Sequence, residues 1–121
     1  MSPKIKWLAW GAAIILLVYT RFINLSWGLP FPFHPDERNI ANAIQGLNCE
    51  ISNCFNPHFF AYGQLPIYLG YVLIFISRLV TKISGAVRFD EAIMALRFIS
   101  ATASLATALV MLNLLQHLTG S

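Results

Sequence analysis

Two adjacent acids, Asp36 and Glu37, are the first candidates for chemistry in this sequence. They follow a proline in the stretch GLPFPFHPDERNIANAI, residues 28–44, soon after an apolar run. A carboxylate held at a membrane surface can act as a general base on a hydroxyl or amide acceptor. Acids are also common at helix N-termini, where they complement the helix dipole, so a purely structural role is the alternative.

A metal site is the second candidate, because histidine and carboxylate side chains are common metal ligands. The available residues are His34, Asp36, Glu37 and His58. Their spacing fits no standard ligand pattern, since His34 and Asp36 are two apart across a proline and no H-E-x-x-H or C-x-x-C occurs. The sequence therefore identifies no certain cofactor, and a divalent metal on His34, Asp36 and His58 is kept as an alternative.

The composition is that of a membrane protein. Hydrophobic residues make up 57% of the 121 residues and charged residues only 11%, whereas soluble domains have about 25% charged residues. The net charge of +3 is spread thinly along apolar sequence. Nucleic-acid binding requires a clustered basic face, so we expect no nucleic-acid partner.

Three apolar runs approach the roughly 20 residues that cross a bilayer as a helix. The sequence therefore predicts an all-α, multi-pass fold with three transmembrane spans, and the spans are residues 5–23, 65–83 and 92–115. A long loop, 24–64, joins the first two spans, and a short loop, 84–91, joins the last two. A cleaved signal peptide is the alternative for the first run, although its end offers no A-x-A-like cleavage site.

The distribution of basic residues predicts the orientation, because cytoplasmic loops carry an excess of lysine and arginine. One side collects five basic residues, namely Lys4, Lys6, Arg78, Lys82 and Arg88. We expect the N-terminus and loop 84–91 to be cytoplasmic and loop 24–64 to be extracytoplasmic. Arg97 lies inside the third span, and we expect it to extend to the cytoplasmic head groups, with an unspecified partner inside the protein as the alternative.

A short amphipathic helix is predicted within the long loop, over residues 36–47. Ile40, Ala43, Ile44 and Leu47 recur at i, i+3, i+4 and i+7, which is one face of a helix. We expect this face to lie on the membrane surface. At about 100° per residue, Asp36 shares that face and points inward, whereas Glu37 points to the side.

The two cysteines, Cys49 and Cys54, lie in the same loop with four residues between them. An extracytoplasmic location permits a disulfide, which we predict, with two reduced thiols as the alternative.

Three segments resemble the N-terminus of a GT-C glycosyltransferase: RFINLSWGLPFPFHPDERNIANA, NPHFFAYGQLPIYLG and ALRFISATASLATALVML. They are most similar to the phospholipid-carrier-dependent branch related to protein O-mannosyltransferases, family 39-like, and to the aminoarabinose transferases of lipid A. The resemblance implies a polytopic enzyme of a bacterial or archaeal plasma membrane. It implies inverting transfer of a sugar from a polyprenyl-phosphate donor to a protein or lipid acceptor on the extracytoplasmic face.

The resemblance also implies residue roles. The family's catalytic acid falls on Asp36, with Glu37 as its neighbour. A leaving phosphate needs cationic or hydrogen-bonding groups, for which Arg21, His58 and Gln64 are the local candidates. Aminoarabinose transferases place a charged pair where this sequence has Gly63 and Gln64, so the resemblance does not extend to their donor.

Family members carry many more spans than this chain provides. We therefore expect a fragment that is inactive alone and packs against the remaining helices of the full enzyme. The small residues Ser100, Ser104 and Ala108 predict such close helix packing. The alternative is a small non-catalytic membrane protein that acts as an assembly or interaction subunit.

Overall fold

The computed structural model describes residues 2–31, 34–47 and 55–119, and these form four α-helices without a strand among them. The helices are α1 (Pro3–Phe22), α2 (Pro35–Gly46), α3 (Leu65–Thr81) and α4 (Phe89–Thr119). The prediction of an all-α fold is confirmed. The predicted pairing of Cys49 with Cys54 lies outside the described residues.

Helix α2 forms where the sequence predicts it, within one residue at each end. Pro35 occupies its first turn, where the missing N–H costs no hydrogen bond, and Asp36 and Glu37 lie at the positive end of the helix dipole. The helix buries Ala41, Ala43 and Ile44. Its apolar face is therefore occupied by protein, which corrects the expectation that this face rests on the membrane.

The core is built from three helices. Ile67, Gly70 and Ile74 line the inner face of α3, and α2 packs along that face. Helix α4 contributes four buried residues near its start, namely Ala92, Ile93, Ala95 and Leu96. The absence of a side chain at Gly70 lets Ile44 come close, since a Cβ added there would lie 2.7 Å from Ile44 Cδ1.

The turn between α3 and α4 is fixed by Arg78. Its guanidinium donates to the carbonyl oxygens of Gly85 at 2.5 Å and Ala86 at 2.8 Å, and to Glu91 Oε2 at 2.5 Å. Glu91 Oε2 also accepts the backbone N–H of Arg88 at 2.9 Å, which satisfies one donor at the start of α4. These bonds link the last turn of α3 to the turn residues and to the first turn of α4.

The chain divides into two units. One contains Leu25–Ile99, and with it α2, α3 and the beginning of α4; the other contains Met1–Asn24 and Ser100–Ser121. In the second unit most large apolar side chains are exposed, as Trp7 (77%) and Val110 (66%) illustrate. Exposed apolar helices of this kind are typical of lipid-facing segments.

One described helix, α4, is long and apolar enough to cross a membrane, over Phe89–Leu118. The other two predicted spans correspond to shorter apolar helices, Trp7–Phe22 and Leu65–Thr81. Helix α3 has 17 residues, which reach about 25 Å at the α-helical rise, short of the roughly 30 Å of a hydrocarbon core. The three-span prediction is not confirmed.

Candidate functional site

Asp36 is exposed at the N-terminus of α2, and its side chain keeps 51% of its accessible surface. Its Oδ1 accepts a hydrogen bond from the Tyr62 hydroxyl, which lies 26 residues further along the chain. Its Oδ2 lies 3.7 Å from His34 Nδ1, beyond hydrogen-bond range. The carboxylate is thus oriented by one phenol and remains open to a reactant.

Tyr62 was not predicted as a site residue, because its aromatic neighbours fitted an interfacial belt. Its ring packs against Phe59 with a centroid distance of 5.6 Å. The hydrogen bond to Asp36, assisted by the charge of that carboxylate, raises the pKa of the Tyr62 hydroxyl above its ordinary value. No local spacing in the sequence links these two residues, so only the fold reveals the pair.

Glu37 occupies the opposite environment, since its side chain is only 19% exposed. The predicted orientation of the two acids is therefore wrong: Glu37 points inward and Asp36 outward. The reason is the register of the buried face, which runs through Glu37, Ala41 and Ile44 at i, i+4 and i+7. The small Ala41 is fully buried, whereas the larger Ile40 is only half-buried.

Arg97 is the partner of Glu37. The guanidinium binds the carboxylate through two parallel hydrogen bonds, Nε to Oε1 at 2.5 Å and Nη2 to Oε2 at 3.0 Å. The remaining Nη1 donates to the carbonyl oxygens of Leu25 at 2.7 Å and Trp27 at 2.6 Å. The expectation that Arg97 extends to cytoplasmic head groups is wrong, and the alternative of a partner inside the protein is confirmed, with Glu37 as that partner.

The two acids differ in how many of their carboxylate oxygens are bonded to a cation. The Glu37 carboxylate has both oxygens engaged by a paired cation, which is the arrangement of a structural ion pair. It anchors the first turn of α2 to α4 and to the segment after α1. Asp36 is the residue before Glu37 in the same turn, so the anchor also holds Asp36 in place.

The predicted phosphate-binding residues are not gathered around Asp36 in the described unit. Gln64 precedes α3, and its Oε1 lies 3.5 Å from the Tyr68 hydroxyl, which donates to the Phe55 carbonyl oxygen at 2.5 Å. His58 is exposed and adopts a positive φ of 49°. Its backbone N–H donates to Asn56 Oδ1 at 3.0 Å. Arg21 belongs to the other unit, in the last turn of α1.

The alternative metal site is not assembled. Within residues 2–31, 34–47 and 55–119, no group of three or more histidine, cysteine or acidic side chains is placed to hold an ion. His34 approaches Asp36, but His58 does not join them. His34, Asp36 and His58 therefore do not form a site for a divalent metal.

Comparisons of the chain with protein-family models, with curated proteins and with solved structures found no match. The resemblance to GT-C glycosyltransferases therefore stays a prediction from the quoted motifs.

Proposed function

We propose that this chain supplies the catalytic carboxylate of a membrane glycosyltransferase that uses a polyprenyl-phosphate-linked sugar and a protein or lipid acceptor. The observation that carries the proposal is the division between the two acids. Glu37 is engaged by Arg97, while Asp36 is exposed and oriented by Tyr62. The position of Asp36 in the HPDE stretch supports the same role through the resemblance.

The proposed reaction is a direct displacement. Asp36 accepts the proton of the acceptor as the acceptor attacks the anomeric carbon, the bond from that carbon to the phosphate oxygen breaks, and the configuration inverts. Tyr62 holds one carboxylate oxygen, Oδ1, so Oδ2 is the oxygen proposed to accept the proton. Within residues 25–99, His58 remains a proposed group for the leaving phosphate, whose charge needs a cation or hydrogen-bond donors.

The same proposal places the site outside the cytoplasm. Lys4 and Lys6 precede the apolar part of α1, so the N-terminus is cytoplasmic by the positive-inside rule. Residues after α1 then face the exterior of a bacterial or archaeal plasma membrane. Further helices, which the resemblance implies, complete the donor and acceptor sites.

The test is the rate of sugar transfer from a polyprenyl-phosphate donor by the complete membrane-bound enzyme. Removal of a general base costs about 10²–10⁴-fold in rate, so Asp36→Asn should lower transfer by that factor. Asp90→Asn is the matched control, because Asp90 is also an acid near a helix N-terminus, keeps 43% of its side chain accessible and pairs with Arg88. Wild-type transfer by Asp36→Asn would remove Asp36 as the base and favour the non-catalytic subunit.

A further inference from the structure

Helix α3 is apolar on two opposite faces. One face lies in the core through Ile67, Gly70 and Ile74. The other carries large apolar side chains that follow the helical repeat and are 44–80% exposed, namely Leu65, Leu69, Val72, Ile76, Leu79 and Val80. We call these six residues the outer stripe. Contiguous exposed apolar surface of this extent marks contact with a membrane or another protein.

A transmembrane crossing would explain the outer stripe, but two contacts of α2 oppose it. At its beginning, α2 is bonded to the segment that precedes α3, through Asp36 and Tyr62. At its end, Gln45 Nε2 donates to the carbonyl oxygen of Val87, in the turn that follows α3, at 3.0 Å. The whole length of α2 thus lies beside α3. The segments before and after α3 both contact α2.

Helix α2 is too polar to lie in hydrocarbon. It has 12 residues, about 18 Å at the helical rise, and its outward surface carries Asp36, Arg38, Asn42 and Gln45, all exposed. A charged side chain at the centre of a spanning helix costs roughly 2.5–3.5 kcal/mol. Since α2 stays in water or among head groups, the turns at both ends of α3 must be on one side of the membrane.

We propose that α3 does not cross the membrane, and that its outer stripe seats residues 25–99 on the lipid surface at the boundary between head groups and acyl chains. The occupant is lipid because α4 leaves this unit without a linker and continues through residues 100–119, which contain no Lys, Arg, Asp or Glu and reach spanning length. The unit is thereby tethered directly at the bilayer. Helices that lie in this plane bury their apolar face about 5–10 Å deep.

The charges of the α3–α4 turn agree with this placement. Three basic residues lie in or beside this turn, namely Arg78, Lys82 and Arg88. Arg78 pairs with Glu91 at 2.5 Å and Arg88 with Asp90 at 3.0 Å, so two of the three positive charges are paired with acids. The positive-inside rule applies to loops of up to about 60 residues, and residues 25–99 exceed that length. The positive-inside rule therefore does not support a cytoplasmic location for residues 84–91.

Single-cysteine labelling in right-side-out membrane vesicles tests the inference. Cys49 and Cys54 are replaced by serine, and one cysteine is introduced on α2 (Asn42→Cys), in the α3–α4 turn (Ser84→Cys, with Lys82→Cys as a second probe) or at the N-terminus (Ser2→Cys). We expect an impermeant maleimide to label the α2 and turn probes to the same extent without permeabilisation. Labelling of the turn probes only after permeabilisation, with the α2 probe labelled before it, would overturn the inference.

The labelling also separates this inference from the proposed function. If the α2 and turn probes are both protected and Ser2→Cys is labelled, α2 and the α3–α4 turn still lie on one side of the membrane, but that side is the cytoplasmic one. This result would support the inference and contradict the extracytoplasmic site of the proposed function.

Contact with lipid is measured by an environment-sensitive fluorophore on Val80→Cys, with Asn42→Cys as the matched control. We expect blue-shifted emission and loss of iodide quenching at Val80 alone; equal quenching at both positions would overturn the seating on lipid.

Discussion

Two neighbouring carboxylates in α2 have different surroundings because one residue of helix turns the side chain by about 100°. Glu37 faces Arg97 with 19% of its side chain exposed, whereas Asp36 keeps 51%. A charge in a partly buried position requires a partner, and Arg97 provides one with a planar fork that matches both oxygens. The exposed acid, Asp36, is the one to which the proposed function gives a catalytic role.

Replacement of Arg97 by lysine tests the anchor. Lysine keeps the charge but cannot bind both oxygens of Glu37 and both carbonyl groups at once. Breaking a buried pair costs about 3–5 kcal/mol, and we expect Arg97→Lys to fall near the lower end because the pair is 19% exposed on each side. The measurement is the free energy of unfolding in detergent, followed by circular dichroism.

The matched control for this variant is Arg88→Lys. Arg88 pairs with Asp90 at the surface, with its side chain 62% exposed, and substitutions at such positions change stability by about 0.5 kcal/mol or less. Equal unfolding free energies for the two variants would show that the Glu37–Arg97 pair is not an anchor.

The Tyr62 hydroxyl should titrate at higher pH than an ordinary tyrosine. Its pKa is raised by the hydrogen bond to Asp36, so the bond stabilises the fold below the unfolded pKa of about 10 and is lost as the pH rises through the higher folded value. Ultraviolet difference titration against Tyr62→Phe isolates this phenol. Asp36→Asn should return its pKa toward the ordinary value, and an unchanged titration would contradict the pair.

At the scale of elements, the position of α2 depends on a glycine in α3. Gly70 leaves the space on α3 into which Ile44 fits, and Ile44 is fully buried. Extra atoms in such a contact force neighbouring side chains out of their preferred rotamers. The same contact holds α2 parallel to α3 and so brings Asp36 beside Tyr62.

Gly70→Val should weaken this packing by about 1–3 kcal/mol, the usual cost of an overfilled core. Gly46→Val is the matched control, because a Cβ at Gly46, the last residue of α2, meets no atom within 4 Å. Thermal unfolding of the two variants gives the comparison. An unfolding midpoint for Gly70→Val as high as that of Gly46→Val would mean that α2 can shift without loss.

At the scale of the whole molecule, the two parts of α4 differ in composition and burial. The beginning of α4 provides core residues such as Ile93 and the anchor Arg97, while residues 100–119 are mostly apolar and contain no Lys, Arg, Asp or Glu. A single continuous helix therefore provides core residues at its beginning and a segment without charged residues over 100–119.

Val110→Lys should impair insertion of α4, because lysine near the centre of a span costs roughly 2.5–3.5 kcal/mol. Leu118→Lys is the matched control, since a lysine at the end of a span extends to the head groups. Both positions are exposed, at 66% and 76%. Protection of α4 from protease in membrane vesicles is the measurement, and equal protection in both variants would argue against a crossing by this segment.

The sequence by itself determined the local features of this protein. The apolar runs predicted the helices, and Pro35 with its following acids predicted the start of α2 to within a residue, because periodicity and capping act over a few neighbouring positions. The resemblance around HPDE also predicted Asp36 as the catalytic acid.

Only the tertiary structure decided how those features are used. It selected Glu37 for burial, gave Arg97 a partner 60 residues away, paired Asp36 with Tyr62, and placed α2 along α3 instead of on lipid. The sequence could not supply these results, because an apolar face fits a protein core and a membrane equally well. Which of the two it meets depends on contacts between distant segments.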